Sequence, residues 1–148
     1  MRIHYQTSGK GRETLVFIHG WTCSSEFWRT NLPAFRDRAR VIAIDLPGHG
    51  ESDKPKIVYS MDLFARAIDA VLQNALVDRA VLIGHSMGTP VIRQFYRKYP
   101  RKTQALVFVD GSLKAMGTRE SMAAYLDPLR KPDCLKSAEN SVNYLTDK

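Results

Sequence analysis

Cysteine is scarce in this chain: Cys23 and Cys134 are the only two among 148 residues. They lie far apart, with no zinc-type spacing, and two are too few for a disulfide framework. Each therefore reads as a small packed thiol in a reducing compartment, and no metal site is expected. Long apolar runs are missing too, which argues against a membrane-spanning helix. The start, MRIHYQTSGKGRE, has no apolar centre of the kind a secretory signal needs. The expectation is a cytoplasmic protein with no membrane partner. Neither internal repeats nor low-complexity linkers occur. The formal charge of +7 is carried by basic residues scattered through RDRAR, RQFYRKYPRK and LRKPDCLK. No nucleic-acid motif accompanies them, so they read as solvated faces and no nucleic-acid partner is expected.

What is present is an ordinary globular composition, 44% hydrophobic and 25% charged, which excludes disorder as the main state. Short apolar runs alternate with amphipathic ones. Leu15 to Ile18, Val41 to Ile44, Ala80 to Ile83 and Ala105 to Val109 are continuous, rich in β-branched residues and closed by Gly, Asp or Pro. Such runs predict strands buried on both faces of a parallel sheet. Between them, helical spacing predicts helices from about Ser25 to Phe35, from Ser60 as N-cap through Ala75, and from Met87 to Tyr99 before Pro100. Arg2 to Thr7 reads as one more strand, turning through SGKG into the first buried one. The fold class is therefore α/β, a mostly parallel sheet of about five strands covered by helices. Residues 1–112 form this layered core. Residues 113–148 are polar and helical in pattern, with Met122, Tyr125, Leu126 and Leu129 on one face.

Gly84-His85-Ser86-Met87-Gly88 places a serine between a predicted strand and a predicted helix, in the pattern G-x-S-x-G. A turn that sharp strains the serine backbone and needs small residues two before and two after it. Ser86 is then raised above the carboxyl edge of the sheet, facing amides at the start of the next helix. His19-Gly20-Trp21 opens a second loop at the same edge, where open α/β sheets build their sites. The amides of Trp21 and Met87 are the expected two-donor oxyanion hole, and losing one such donor costs about 100- to 1000-fold in rate.

On these motifs the chain resembles the α/β-hydrolase fold family, in the branch with HG oxyanion loops and a GHSMG elbow. Asp45 to Pro55, DLPGHGESDKP, is similar to that family's D-x-x-G-x-G-x-S loop. It reads as structural, with Gly48 and Gly50 supplying turns and Asp45 and Ser52 local hydrogen bonds. The resemblance implies a serine hydrolase of esters or related acyl substrates, with Ser86 as nucleophile and no cofactor. Relatives that open epoxides carry aspartate at the elbow, and dienelactone hydrolases carry cysteine there, so Cys23 is not promoted to nucleophile. Thr89-Pro90 departs from the small residues many members have, and Pro90 is tolerable in a first helical turn.

The family's catalytic order is Ser, then Asp or Glu, then His. All four histidines, His4, His19, His49 and His85, precede Ser86. His85 should point across the pleat into the packing around the elbow, and His19 should organise the oxyanion loop. His49 should face solvent or brace its loop, and His4 should lie remote from the carboxyl edge. Asp110, at the end of the strand Ala105 to Val109, is a candidate triad acid, against a bland role bracing its own loop. The expectation is a chain that resembles the N-terminal part of the family, ending within a cap inserted after the core. It lacks the triad histidine and is therefore inactive alone. Its last strand would be an exposed apolar edge and a route to homo-oligomers. Trp21, Phe27, Trp28 and Met87 are candidates to line an acyl pocket. A noncatalytic binding or scaffold protein on the same fold is the alternative.

Overall fold

The computed structural model describes residues 1–112. The chain divides into units Met1–Leu113 and Lys114–Lys148, so the helical cap expected over 113–148 lies outside the described residues. Among the described residues five strands form one sheet: β1 (Tyr5–Ser8), β2 (Thr14–Ile18), β3 (Arg40–Ile44), β4 (Ala80–His85) and β5 (Thr103–Val109), in the order β1-β3-β2-β4-β5. All pairs are parallel except β1 with β3. Two α-helices, α1 (Met61–Asn74) and α2 (Gly88–Lys98), connect β3 to β4 and β4 towards β5.

The central strands read as unbroken apolar runs because both of their faces are covered. On one face Val16, Ile18, Ile42, Ile44 and Leu82 meet Phe64, Ile68 and Leu72 of α1 and Ile92 and Phe95 of α2. On the other, Phe17, Val41, Ala43 and Ile83 meet Trp28 and Leu32, and the Phe17 and Trp28 rings cross edge to face at 5.1 Å. Helix α1 begins where the spacing predicts. Ser60 is extended, and its Oγ accepts from the Leu63 amide at 3.1 Å, satisfying a donor that the first turn leaves open.

Two expectations need correction, and the sequence leaves one pairing open. The helix expected over Ser25 to Phe35 is two one-turn 3-10 helices, Ser25–Trp28 and Leu32–Phe35. Pro33 lacks an amide hydrogen and disfavours an α conformation at Leu32, so no continuous helix can run through it. β1 does not pair with the strand it turns into. Gly9 (φ 80) and Gly11 lie against the backbone of residues 36–39, where any Cβ would collide. The connection therefore crosses the amino ends of the strands and delivers β1 to the far side of β3. Finally, β5 is not buried on both faces. Among the described residues it pairs only with β4, leaving Ala105, Val107 and Phe108 exposed while Leu106 packs on the core.

Candidate active site

Ser86 directly follows β4 and has φ 49, in the left-handed region that an L-residue occupies only under constraint. The constraint is visible on both sides. A Cβ on Gly84 would stand 2.5 Å from the Gly88 carbonyl oxygen, and one on Gly88 would stand 2.5 Å from that of Ile18. Strand, turn and helix are thus pressed together as closely as glycine permits. The Ser86 amide donates to the Val109 carbonyl at 3.1 Å, and the Thr89 amide donates to the Ser86 carbonyl at 3.0 Å. Pinned this way, Ser86 is exposed at the carboxyl edge while Thr89 beneath it is fully buried.

The loop after β2 leans on this turn. A Cβ on Gly20 would lie 3.2 Å from Ser86 Cβ. The Cys23 amide closes a turn onto the Gly20 carbonyl at 3.3 Å, with Thr22 at φ 61. His19, fully buried, holds the loop from below. Its Nε2 accepts from the Leu46 amide at 3.1 Å, which leaves Nδ1 protonated and donating to the Gly20 carbonyl at 2.7 Å. Burial pushes the His19 pKa down, and nearby His49 adds to that, against an opposing pull from the Gly20 hydrogen bond and Asp45. A neutral imidazole with both nitrogens engaged is a brace, as expected, and has no lone pair left for a serine proton.

The other histidines are also placed. The His85 ring stacks on Phe27 at 4.3 Å and meets Trp28 edge-on at 6.3 Å, on the packed side of the pleat. Its Nδ1 and the Trp28 Nε1 are buried without hydrogen-bond partners among the described residues. His49 Nδ1 lies 3.0 Å from the Pro47 carbonyl. His4 is not remote from the carboxyl edge. Because β1 is antiparallel to β3, its start lies there, and the Asp45 amide donates to the His4 carbonyl at 3.0 Å. It is still three strand spacings from β4, about 14 Å, beyond the roughly 3 Å reach of a general base.

Asp45 ties these loops together. Its carboxylate is 2% exposed and accepts from the Ser25 amide (2.6 Å), the Glu51 amide (2.9 Å) and His4 Nδ1 (2.9 Å). Burial alone would raise its pKa. The hydrogen bonds from the Glu51 and Ser25 amides, with those from the Ser25 and His4 side chains, outweigh burial and hold it below the ordinary carboxylate range. Ser52 donates to the Asp45 carbonyl (2.6 Å) and accepts from the His4 amide (2.8 Å). Gly50, at φ 49, sits where any Cβ would meet the Asp45 carboxylate. The loop is structural, as its sequence implied. The reach from Asp45 to Ser25, and through that turn to Phe27 against His85, carried no sequence signal because the partners are separated by long stretches of chain.

Asp110 is exposed at φ 43, one residue beyond the carbonyl that holds the Ser86 amide. Gly111 packs on Thr89 and on the Ser86 carbonyl. Of the residues expected to line an acyl pocket, Trp28 is withdrawn into the core, Trp21 is 43% exposed and Met87 is half-buried. Phe27 lines a shallow groove of about 460 Å³ with Thr22, Cys23, Glu26, Arg29 and Gly50. Among the described residues no group of three or more His, Cys, Asp and Glu side chains is placed to hold a metal, and no helix is long and apolar enough to cross a membrane.

Comparison with known proteins bears on the family and the fold. Residues 13–133 match the family model of the alpha/beta hydrolase fold. A 2-hydroxy-6-oxononadienedioate/2-hydroxy-6-oxononatrienedioate hydrolase of Paraburkholderia phymatum is 38% identical over 116 residues, 75% of this chain and 40% of that protein. Epoxide hydrolase 1 of Caenorhabditis elegans is 36% identical, over 72% of this chain and 27% of that protein. Among solved structures, a thermophilic esterase from Thermogutta terrifontis superposes with a TM-score of 0.80 at 26% identity, covering 88% of this chain and 48% of that one. The chain spans less than half the length of these relatives.

Proposed function

The chain belongs to the α/β-hydrolase fold family, and from that premise we propose that it forms part of a serine hydrolase acting on carboxylic esters or related acyl substrates. The observation that carries this reading is the elbow. Ser86 is exposed, strained and flanked by glycines that no larger residue can replace, beside a loop braced by a neutral histidine. Similarity to an epoxide hydrolase does not transfer that chemistry, because relatives that open epoxides carry aspartate where this chain has Ser86.

In the proposed reaction Ser86 Oγ attacks the substrate carbonyl carbon while its proton passes to a histidine. The carbonyl electrons move to oxygen, and the oxyanion is held by the amides of Trp21, on the loop after β2, and Met87, the residue after Ser86. The histidine then protonates the leaving alcohol. Water, deprotonated by the same base, hydrolyses the acyl-serine. Asp110 is the proposed acid that orients this histidine. It stands at the end of the strand adjoining β4, on a loop packed against the elbow.

The histidine must come from outside these residues. None follows Ser86 in the sequence, His19 has both nitrogens engaged, His49 holds its own loop through Nδ1, His85 is turned into the packing, and His4 is three strands distant. The isolated chain is therefore proposed to lack Ser86-dependent turnover and to self-associate through the exposed β5 edge, which sedimentation velocity over a concentration series reads directly. The activity is tested by ester hydrolysis in the protein encoded by the complete coding sequence. Ser86→Ala abolishing turnover is the expected result, and unchanged turnover in that variant overturns the assignment.

A further inference from the structure

Parallel strands give a sheet two unlike edges, and Ser86 uses only the carboxyl one. The amino edge is built from the connections before β2, β3, β4 and β5. Six cations stand exposed there: Lys10, Arg12, Arg36, Arg38, Arg79 and Arg101. Among the described residues none of the six has a carboxylate within 4.0 Å, whereas Arg29, Arg66, Lys98 and Lys102 each do. The fold gathers them. The Lys10 amide donates to the Arg36 carbonyl at 3.0 Å, Gly11 lies on the Arg38 backbone, and the Arg40 amide donates to the Glu13 carbonyl at 2.9 Å. The registers Leu15↔Val81 and Ala80↔Thr103 then bring Arg79 and Arg101 alongside. From β3 through β2 and β4 to β5 the row is about 14 Å long.

An independent feature lies within this row. Helix α1 ends with the Leu76 amide donating to the Gln73 carbonyl (3.1 Å) and the Val77 amide to the Leu72 carbonyl (2.9 Å). This closing turn puts its middle residue in the left-handed region, where glycine is usual. Here that residue is Leu76, at φ 54 and 90% exposed. Arg40 Nη1 donates to the carbonyl of Ala75 at 2.8 Å, fixing this corner beside the start of β3, and Arg79 follows three residues on. The leucine is thus both strained and solvated, which stabilises nothing in the isolated chain.

We propose that the amino edge docks an acidic face of another protein, with Leu76 as the apolar anchor beside the row of cations. Glu13, Asp37 and Asp78 are interleaved with the cations, and a uniform plane or polymer of phosphates would meet those carboxylates as well. Mixed charge around one apolar side chain is the anatomy of a protein interface. The surface lies opposite Ser86, so a docked partner leaves that site open.

The test uses the chain itself and a synthetic glutamate-rich peptide with a central leucine pair as probe, titrated by calorimetry alongside mixed-sequence duplex DNA and phosphatidylglycerol vesicles. Lys10→Glu, Arg38→Glu and Arg79→Glu together should weaken peptide binding about tenfold or more. Arg2→Glu, Lys56→Glu and Arg66→Glu together, with the same change in net charge, should alter it by less than about twofold. Leu76→Gly should weaken binding about fivefold while holding or raising the thermal midpoint, because it relieves the left-handed strain. Equal losses in both triple variants, no effect of Leu76→Gly, no peptide binding, or tighter binding to DNA or vesicles each overturn the proposal.

Discussion

Replacing Asp45 by asparagine keeps the volume of the side chain and removes its charge, in a place where the structure allows no easy substitute. Oδ1 accepts from the Ser25 amide, and Oδ2 accepts from both the Glu51 amide and His4 Nδ1. An amide side chain offers one carbonyl oxygen. Turned towards Glu51 and His4, it points its NH₂ at the Ser25 amide, donor against donor; turned the other way, it loses two partners. A hydrogen bond to a charged group contributes about 1.5–3 kcal/mol, and a buried donor left unpaired costs about 1–3 kcal/mol. One lost bond and two weakened ones therefore amount to about 3 kcal/mol, a large share of the roughly 5–15 kcal/mol that holds a domain together. Urea unfolding followed by tryptophan fluorescence should show a midpoint lower by about 1.5 M, at about 2 kcal/mol per molar. The gap should also depend on pH. The native pKa of Asp45 is lowered, so its contribution is present above the unfolded value of about 3.9 and is lost as pH falls through the native one. Wild type and Asp45→Asn should therefore stay separated from pH 7 to about pH 5 and converge in acid. Coincident midpoints at pH 7, or a gap that survives below the native pKa, would refute the reasoning.

Two further outcomes follow from the same edge of the sheet. His19 has a native pKa below 6.5, so between the two values the unfolded chain binds more protons and stability falls as pH drops below about 6.5. Urea midpoints from pH 7.5 to 5 should show that decline in wild type, and His19→Gln, less stable throughout because buried backbone groups lose their partner, should lack this component. In Gly88→Ala the new methyl lands 2.5 Å from the Ile18 carbonyl and 3.0 Å from that of His19. Both are backbone atoms, so the elbow must open, and a loss of more than about 2 kcal/mol is expected by the same assay.

The sequence was most informative where burial and local geometry coincide. Three of the four apolar runs, β2, β3 and β4, are legible because both faces of the central sheet are covered, and the elbow was legible because only glycine tolerates the approach of β4 to α2. Partners distant in sequence left no such trace. The pairing of β1 with β3 depends on Gly9 and Gly11 crossing the amino ends, and periodicity does not report that. His4 was misplaced for the same reason, since an antiparallel strand carries its first residues to the opposite edge. The helix expected over Ser25 to Phe35 failed at Pro33, a local signal that apolar spacing overrode. Asp45 could be read as a loop brace, but its hold on the Ser25 turn, and through it on the packing of Phe27 against His85, is purely tertiary.

The central claim, that Ser86 is a nucleophile whose base lies outside these 148 residues, is tested most directly by fluorophosphonate labelling followed by intact-mass and peptide mass spectrometry. The isolated chain and the protein encoded by the complete coding sequence are labelled side by side. The account predicts a single adduct on Ser86 in the longer protein, lost in Ser86→Ala, and little or none in the isolated chain. Rapid stoichiometric labelling of the isolated chain, or an adduct on the longer protein that persists in Ser86→Ala, would contradict it.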